Sequence, residues 1–139
     1  MTDRIRFAIV LGLALLFVAA WPNSSARPLA SGSVAAETML AHMVYFDLKN
    51  PSDAAKEKLV EACHQYLKNH PGVVFFAAGS VAADFKRDVN VRDFHVSLHL
   101  VFKTKADHDR YQSAAAHQQF IKENEASWAR VRVFDSYVR

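Results

Sequence analysis

Between residues 41 and 138 the apolar positions fall into short runs of period two separated by stretches of helical period. The run from Ala41 to Lys49 places His42, Val44, Phe46 and Leu48 on one side and Met43, Tyr45, Asp47 and Lys49 on the other. Apolar residues occur on both sides, as expected of a central strand covered on both faces. Asn50-Pro51-Ser52-Asp53 then opens a helix: Ser52 is placed to cap it and Asp53 sits at its positive end. Ala55, Leu59, Ala62, Cys63, Tyr66 and Leu67 recur at helical spacing, and Pro71-Gly72 stops the helix. Val73 to Val81 reads as a second strand and the charged stretch Asp84 to Asp93 as a loop. Phe94 to Lys103 alternates most clearly, with Phe94, Val96, Leu98, Leu100 and Phe102 on one face. Thr104 is placed to cap a second helix, which the pattern continues through Trp128 with a break between Ser113 and Ala116. Val131 to Val138 closes the set as a fourth strand.

The order βαββαβ is the ferredoxin-like α+β arrangement. Two helices cover one face of such a sheet and leave the other bare. The alternation assigns Tyr45, Phe76, Val101, Phe134 and Val138 to that bare face. An apolar sheet face seeks a partner, and pairing two sheets closes a dimeric barrel. The first partner expected is therefore a second copy of the chain.

Upstream of this domain the pattern changes. Arg4 and Arg6 precede an unbroken apolar run of 15 residues, Phe7 to Trp21, followed by Pro22, Asn23, Ser24 and Ser25. A basic start, a short apolar stretch and small residues after it describe a secretory signal peptide. The run is shorter than the ~20 residues of a comfortable membrane span. Residues 1–36 thus read as a signal peptide and flexible leader, and 37–139 as an exported domain, periplasmic or extracellular. An uncleaved segment that tethers the domain to a membrane is the alternative.

The formal net charge of +3 belongs mainly to that leader, which holds Arg4, Arg6, Arg27 and Asp3. The rest carries 14 basic and 13 acidic residues, so nothing draws it to nucleic acid. One cysteine, Cys63, excludes an intrachain disulfide or a Cys-based zinc site, and its place on the apolar helix stripe marks a buried thiol.

His42-Met43-Val44-Tyr45-Phe46-Asp47-Leu48-Lys49, His70-Pro71-Gly72-Val73, Tyr111 to Phe120 and Val133-Phe134-Asp135-Ser136-Tyr137 together resemble the stress-responsive α/β-barrel (Dabb) family of the dimeric α+β barrel superfamily. The resemblance covers Met39 to Val138. It implies a homodimer with a small cavity between sheet and helices, suited to a small apolar or aromatic ligand, in a stress response. It implies no single reaction. A plant polyketide cyclase of the family uses a histidine and a tyrosine in an aldol-type ring closure. By position those roles fall on His117 and Tyr111, with His42 nearby at the start of the first strand. Where many members have proline two residues before the histidine, this chain has Ala115.

On a continuous helix Tyr111 and His117 would point about 240° apart, so they converge only across a break. A neutral imidazole accepts a proton at pH 7, and a tyrosine hydroxyl hydrogen-bonds a developing enolate oxygen. Equally, His117 and His42 read as hydrogen-bonded structural residues. Seven histidines raise the question of a metal, but His95 and His99 stand about 13 Å apart along a strand, and no His-x-His or His-Glu-x-x-His spacing occurs. The expectation is no metal and no cofactor. Two functions stay open: a ligand-binding dimer without an assignable reaction, and a cyclase-like or monooxygenase-like enzyme using the His/Tyr pair.

Overall fold

The structure, a computed structural model, describes residues 38–139. The segment read as a leader lies outside the described residues. Strand β1 (Met39–Leu48) is followed by α1 (Asp53–Leu67), β2 (Val73–Ser80), β3 (Val96–Phe102), α2 (Lys105–Ser113), α3 (Ala115–Asn124) and β4 (Trp128–Val138). The strands form one antiparallel sheet in the order β2-β3-β1-β4, with β1 central as its two-sided apolar pattern requires. All three helices pack on one face.

Local chemistry sets the helix ends as expected. Ser52 Oγ accepts the Ala55 N–H at 3.2 Å and starts α1. Thr104 Oγ1 accepts the Asp107 N–H at 3.1 Å and starts α2. Gly72 turns the chain after α1 with φ of 87°, and a Cβ there would run into the Asp107 side chain. The core lies between helices and sheet: Val96, Leu98, Leu100 and Phe102 of β3 are at most 1 % exposed, packed against Leu59, Cys63 and Leu67 of α1. Burial pushes the Cys63 thiol up to about 12, so it is an inert core group.

Three expectations need correction. A bulge in β2 lets Val73 and Phe75 pair with the successive residues Phe102 and Val101, which reverses the alternation beyond it. Phe76 therefore faces the helices, its ring 4.9 Å from His64, and Phe75 takes its place on the helix-free face. Phe94 precedes β3 and swings to that same helix-free face, its ring 4.8 Å from Tyr45. Trp128 does not end a helix. It opens β4 and packs its ring 5.1 Å from Phe46.

Candidate functional site

β4 lies at the sheet edge, and the helices cover it incompletely: Val131 and Val133, on its helix side, remain 38 % and 48 % exposed. A cavity of about 270 Å³ opens there, lined by His42, Tyr111, His117 and Asp135 among apolar walls that include Val44, Leu98, Phe120 and Val133.

The helix break brings the two residues from the tyrosine–histidine segment together. Ala114 takes an extended conformation (φ −67°, ψ 140°) between α2 and α3. Tyr111 on the last turn of α2 and His117 on the first turn of α3 then meet with ring centroids 4.4 Å apart. The Gln112 carbonyl, left without a helical partner by the break, accepts from His117 Nδ1 at 3.1 Å. That bond leaves Nε2 with a free lone pair. Burial lowers the His117 pKa, opposed by the Gln112 carbonyl, so the ring is neutral at pH 7. Burial raises the Tyr111 pKa strongly, so its hydroxyl stays a donor.

His42 enters from the opposite wall. It is the direct cross-strand partner of Asp135, which places both side chains on the helix side, and His42 Nδ1 donates to Asp135 Oδ1 at 2.6 Å. Burial of His42 lowers its pKa more than Asp135 raises it. The carboxylate thus fixes the tautomer and leaves Nε2 as an acceptor. The His42 and Tyr111 rings stand 6.0 Å apart.

The cavity therefore collects His42, Tyr111 and His117, all three residues singled out from the sequence, and adds Asp135, which was not; His108 and His70 stand beside these rings without lining the cavity. Asp135 orients His42. His108, one helical turn before Tyr111, stands with its ring 5.0 Å from His42. Its spacing of three residues from Tyr111 on one helix was the available signal. His70 stands 4.9 Å from Tyr111 and holds the end of α1 by donating Nε2–H to the Tyr66 carbonyl at 3.0 Å. His95 and His99 stay apart from this group: His95 Nδ1 accepts the Leu48 N–H, and His99 faces the helix-free side.

That opposite side carries a second, larger hollow of about 510 Å³, lined by Met43, Tyr45, Val91, Phe94, Arg132 and Phe134. Arg132 donates to the Asp93 carboxylate at 2.7 Å, and its Nε is buried without a partner among the described residues.

A four-stranded antiparallel sheet with helices on one face defines a ferredoxin-like α+β fold. Residues 40–138 match the stress responsive A/B barrel domain, and the chain belongs to that Dabb family. A Dabb family protein with a ferredoxin-like fold from Mesorhizobium loti is similar at 20 % identity and TM-score 0.60, over 73 % of this chain and 98 % of that one. A dimeric ferredoxin-like protein of unknown function from Thermobifida fusca is similar at 12 % identity and TM-score 0.62, over 74 % and 93 %. The hydroxynitrile lyase of Passiflora edulis is similar at 16 % identity and TM-score 0.61, over 74 % and 95 %. At these identities the likeness shows the fold. Comparison of the sequence with curated proteins gives no match.

Proposed function

We propose that this protein is an exported homodimer whose helix-side cavity binds a small, largely apolar carbonyl compound and transfers a proton at the carbon beside the carbonyl. One observation carries the reading: Tyr111, His117 and the Asp135-bound His42 converge on one otherwise apolar cavity. Apolar walls hold the hydrocarbon part of a ligand, and a few placed polar groups orient it. The Tyr111 O–H donates to the carbonyl oxygen. His117 Nε2 takes the proton from the neighbouring carbon, so a C–H bond breaks, an N–H bond forms and the electron pair moves onto the oxygen as an enolate. The enolate then attacks a second carbonyl carbon of the same ligand: a C–C bond forms, the C=O π pair moves onto that oxygen, and the oxygen takes the proton held by His117; without such a carbon, the proton returns to the enolate carbon.

The homodimer is supported by Met43, Tyr45, Phe75, Phe94 and Phe134 on the helix-free face, of which Phe75 and Phe134 are more than half exposed in the single chain. Dimeric relatives share the fold. Export rests on the basic-then-apolar pattern of residues 4–21.

Aryl methyl ketones incubated with the protein in D₂O provide the test. Enzyme-dependent deuterium uptake at the methyl carbon is expected by NMR, falling by about 10²-fold in His117→Gln and in Tyr111→Phe. Thermal stabilisation without deuterium uptake reduces the reading to ligand binding. Neither effect across a panel of ketones and fatty compounds removes it and leaves a structural dimer module.

A further inference from the structure

We infer that His42, His108 and Asp135 form a binding site for a divalent transition-metal ion of the zinc and cobalt class. One ligand atom of each residue lies within 4.8 Å of those of the other two, and this is the one such group among the described residues. The three come from three elements, β1, α2 and β4, all held by the fold. His42 and Asp135 face each other across the β1–β4 ladder. His108 stands on a helix whose start is fixed by the Thr104 cap.

The donor set is two imidazole nitrogens and one carboxylate oxygen. That set suits a borderline ion and leaves a fourth tetrahedral position for water. The required adjustment is small. Two ligands on a tetrahedral ion with bonds of about 2.1 Å stand roughly 3.4 Å apart. His42 Nδ1 and Asp135 Oδ1 are 2.6 Å apart around a shared proton. Replacing that proton by the ion means opening the pair by less than about 1 Å. Asp135 is free to make this move, because its side chain is 47 % exposed while that of His42 is 6 % exposed.

Outer-shell support is also present. The Gln112 amide lies 2.9 Å from His108 Nε2. Asp109 Oδ1 lies 3.5 Å from His108 Nδ1, so each ring nitrogen has a polar neighbour. With the ion on one nitrogen, the Gln112 amide oxygen or the Asp109 carboxylate accepts the N–H of the other, as carbonyl and carboxylate partners do for metal-bound histidines. Asp135 lines both the helix-side cavity and a surface groove that includes His108, Lys105 and Tyr137. An ion therefore has an entry path from solvent that does not cross the ligand cavity. The site does not depend on the carbonyl reading of that cavity, and its test uses no organic ligand.

The experiment is a Co²⁺ titration of the tag-free, metal-stripped full chain, followed by visible absorbance and calorimetry. One Co²⁺ per chain is expected, with the absorption bands of a tetrahedral N/O site, and Zn²⁺ should displace it. Asp135→Asn and His108→Asn should each weaken binding at least about tenfold and remove the bands. His64→Gln, at an exposed histidine on α1, should leave them unchanged. Asp135→Asn lies on an exposed edge strand, so it keeps the test decisive if His108→Asn fails to fold. Absence of the bands in the unsubstituted chain, or their persistence in Asp135→Asn, overturns the assignment.

Discussion

The two hollows on opposite faces of the sheet are built from similar material but suit different ends. The helix-free hollow is nearly twice as large, and its walls are aromatic and aliphatic. Its one charged wall residue, Arg132, is already tied to Asp93. The helix-side cavity is smaller, yet two imidazoles and a buried phenol converge in it, each ring held at a fixed tautomer or protonation state by a carbonyl, a carboxylate or burial. Volume alone would select the first as the ligand site. Chemistry selects the second, because its lining joins imidazole acceptors to a phenol donor, and no histidine lines the first. The larger hollow lies on the apolar face that the proposed second copy would cover.

The largest predicted effect lies under the smaller cavity. The Phe102 ring is fully buried and stands 5.1 Å from Tyr111 and 5.4 Å from His108. Phe102→Ala should cost about 3–5 kcal/mol in urea unfolding and let both rings drift. A loss below about 1 kcal/mol would mean that the helix-covered face is not close-packed.

Phe134→Glu addresses the other hollow. It should weaken the dimer by about 2 kcal/mol or more, as loss of a central aromatic contact does, and leave the far-UV circular dichroism of the subunit unchanged. Sedimentation velocity reads the outcome. An undisturbed dimer would place the interface elsewhere.

Tyr111→Phe removes a single hydroxyl. It should change the stability of the free protein by less than about 1 kcal/mol, and reduce ketone-dependent thermal stabilisation by about that amount. Equal stabilisation in both proteins would remove the hydroxyl from ligand contact.

The smallest effect is a pH dependence. Above 6.5, the ordinary value, His117 is neutral in folded and unfolded chains and costs nothing. As the pH falls below 6.5 the unfolded chain takes up the proton first, because burial depresses the folded value. Stability should therefore decline with falling pH until the folded ring is also protonated, and His117→Gln should flatten that slope. A slope unchanged by the substitution would mean that His117 is well solvated.

The element order and both side-chain helix caps were legible because each rests on local chemistry: alternation, and a hydroxyl before a helix. The break was expected between Ser113 and Ala116, but no local chemistry marks it, since alanine is the strongest helix former and neither proline nor glycine stands there. The face occupied by Phe75 and Phe76 was not. A one-residue bulge reverses every later side chain in β2, and nothing in Val73-Val74-Phe75-Phe76 marks where the extra residue falls. Phe94 was misplaced for a related reason: it continues the alternation of β3 in sequence, but the ladder begins only at Val96. His117 and Tyr111 were found through the family resemblance, since helical geometry alone separates them. Asp135 and His108 were missed as site residues because their meeting with His42 depends on the β1–β4 register and on how α2 lies over β1. For His108 the three-residue spacing from Tyr111 was the one local signal; the register and the placement of α2 are written in no local pattern.

The smaller hollow, and not the larger, should receive the ligand. An NMR titration of the labelled protein with an aryl methyl ketone tests it most directly. Shifts should concentrate on the His117 and His42 rings, Tyr111, Ile121 and Val133. Shifts confined to Met43, Tyr45, Phe94 and Phe134 on the opposite face would contradict it.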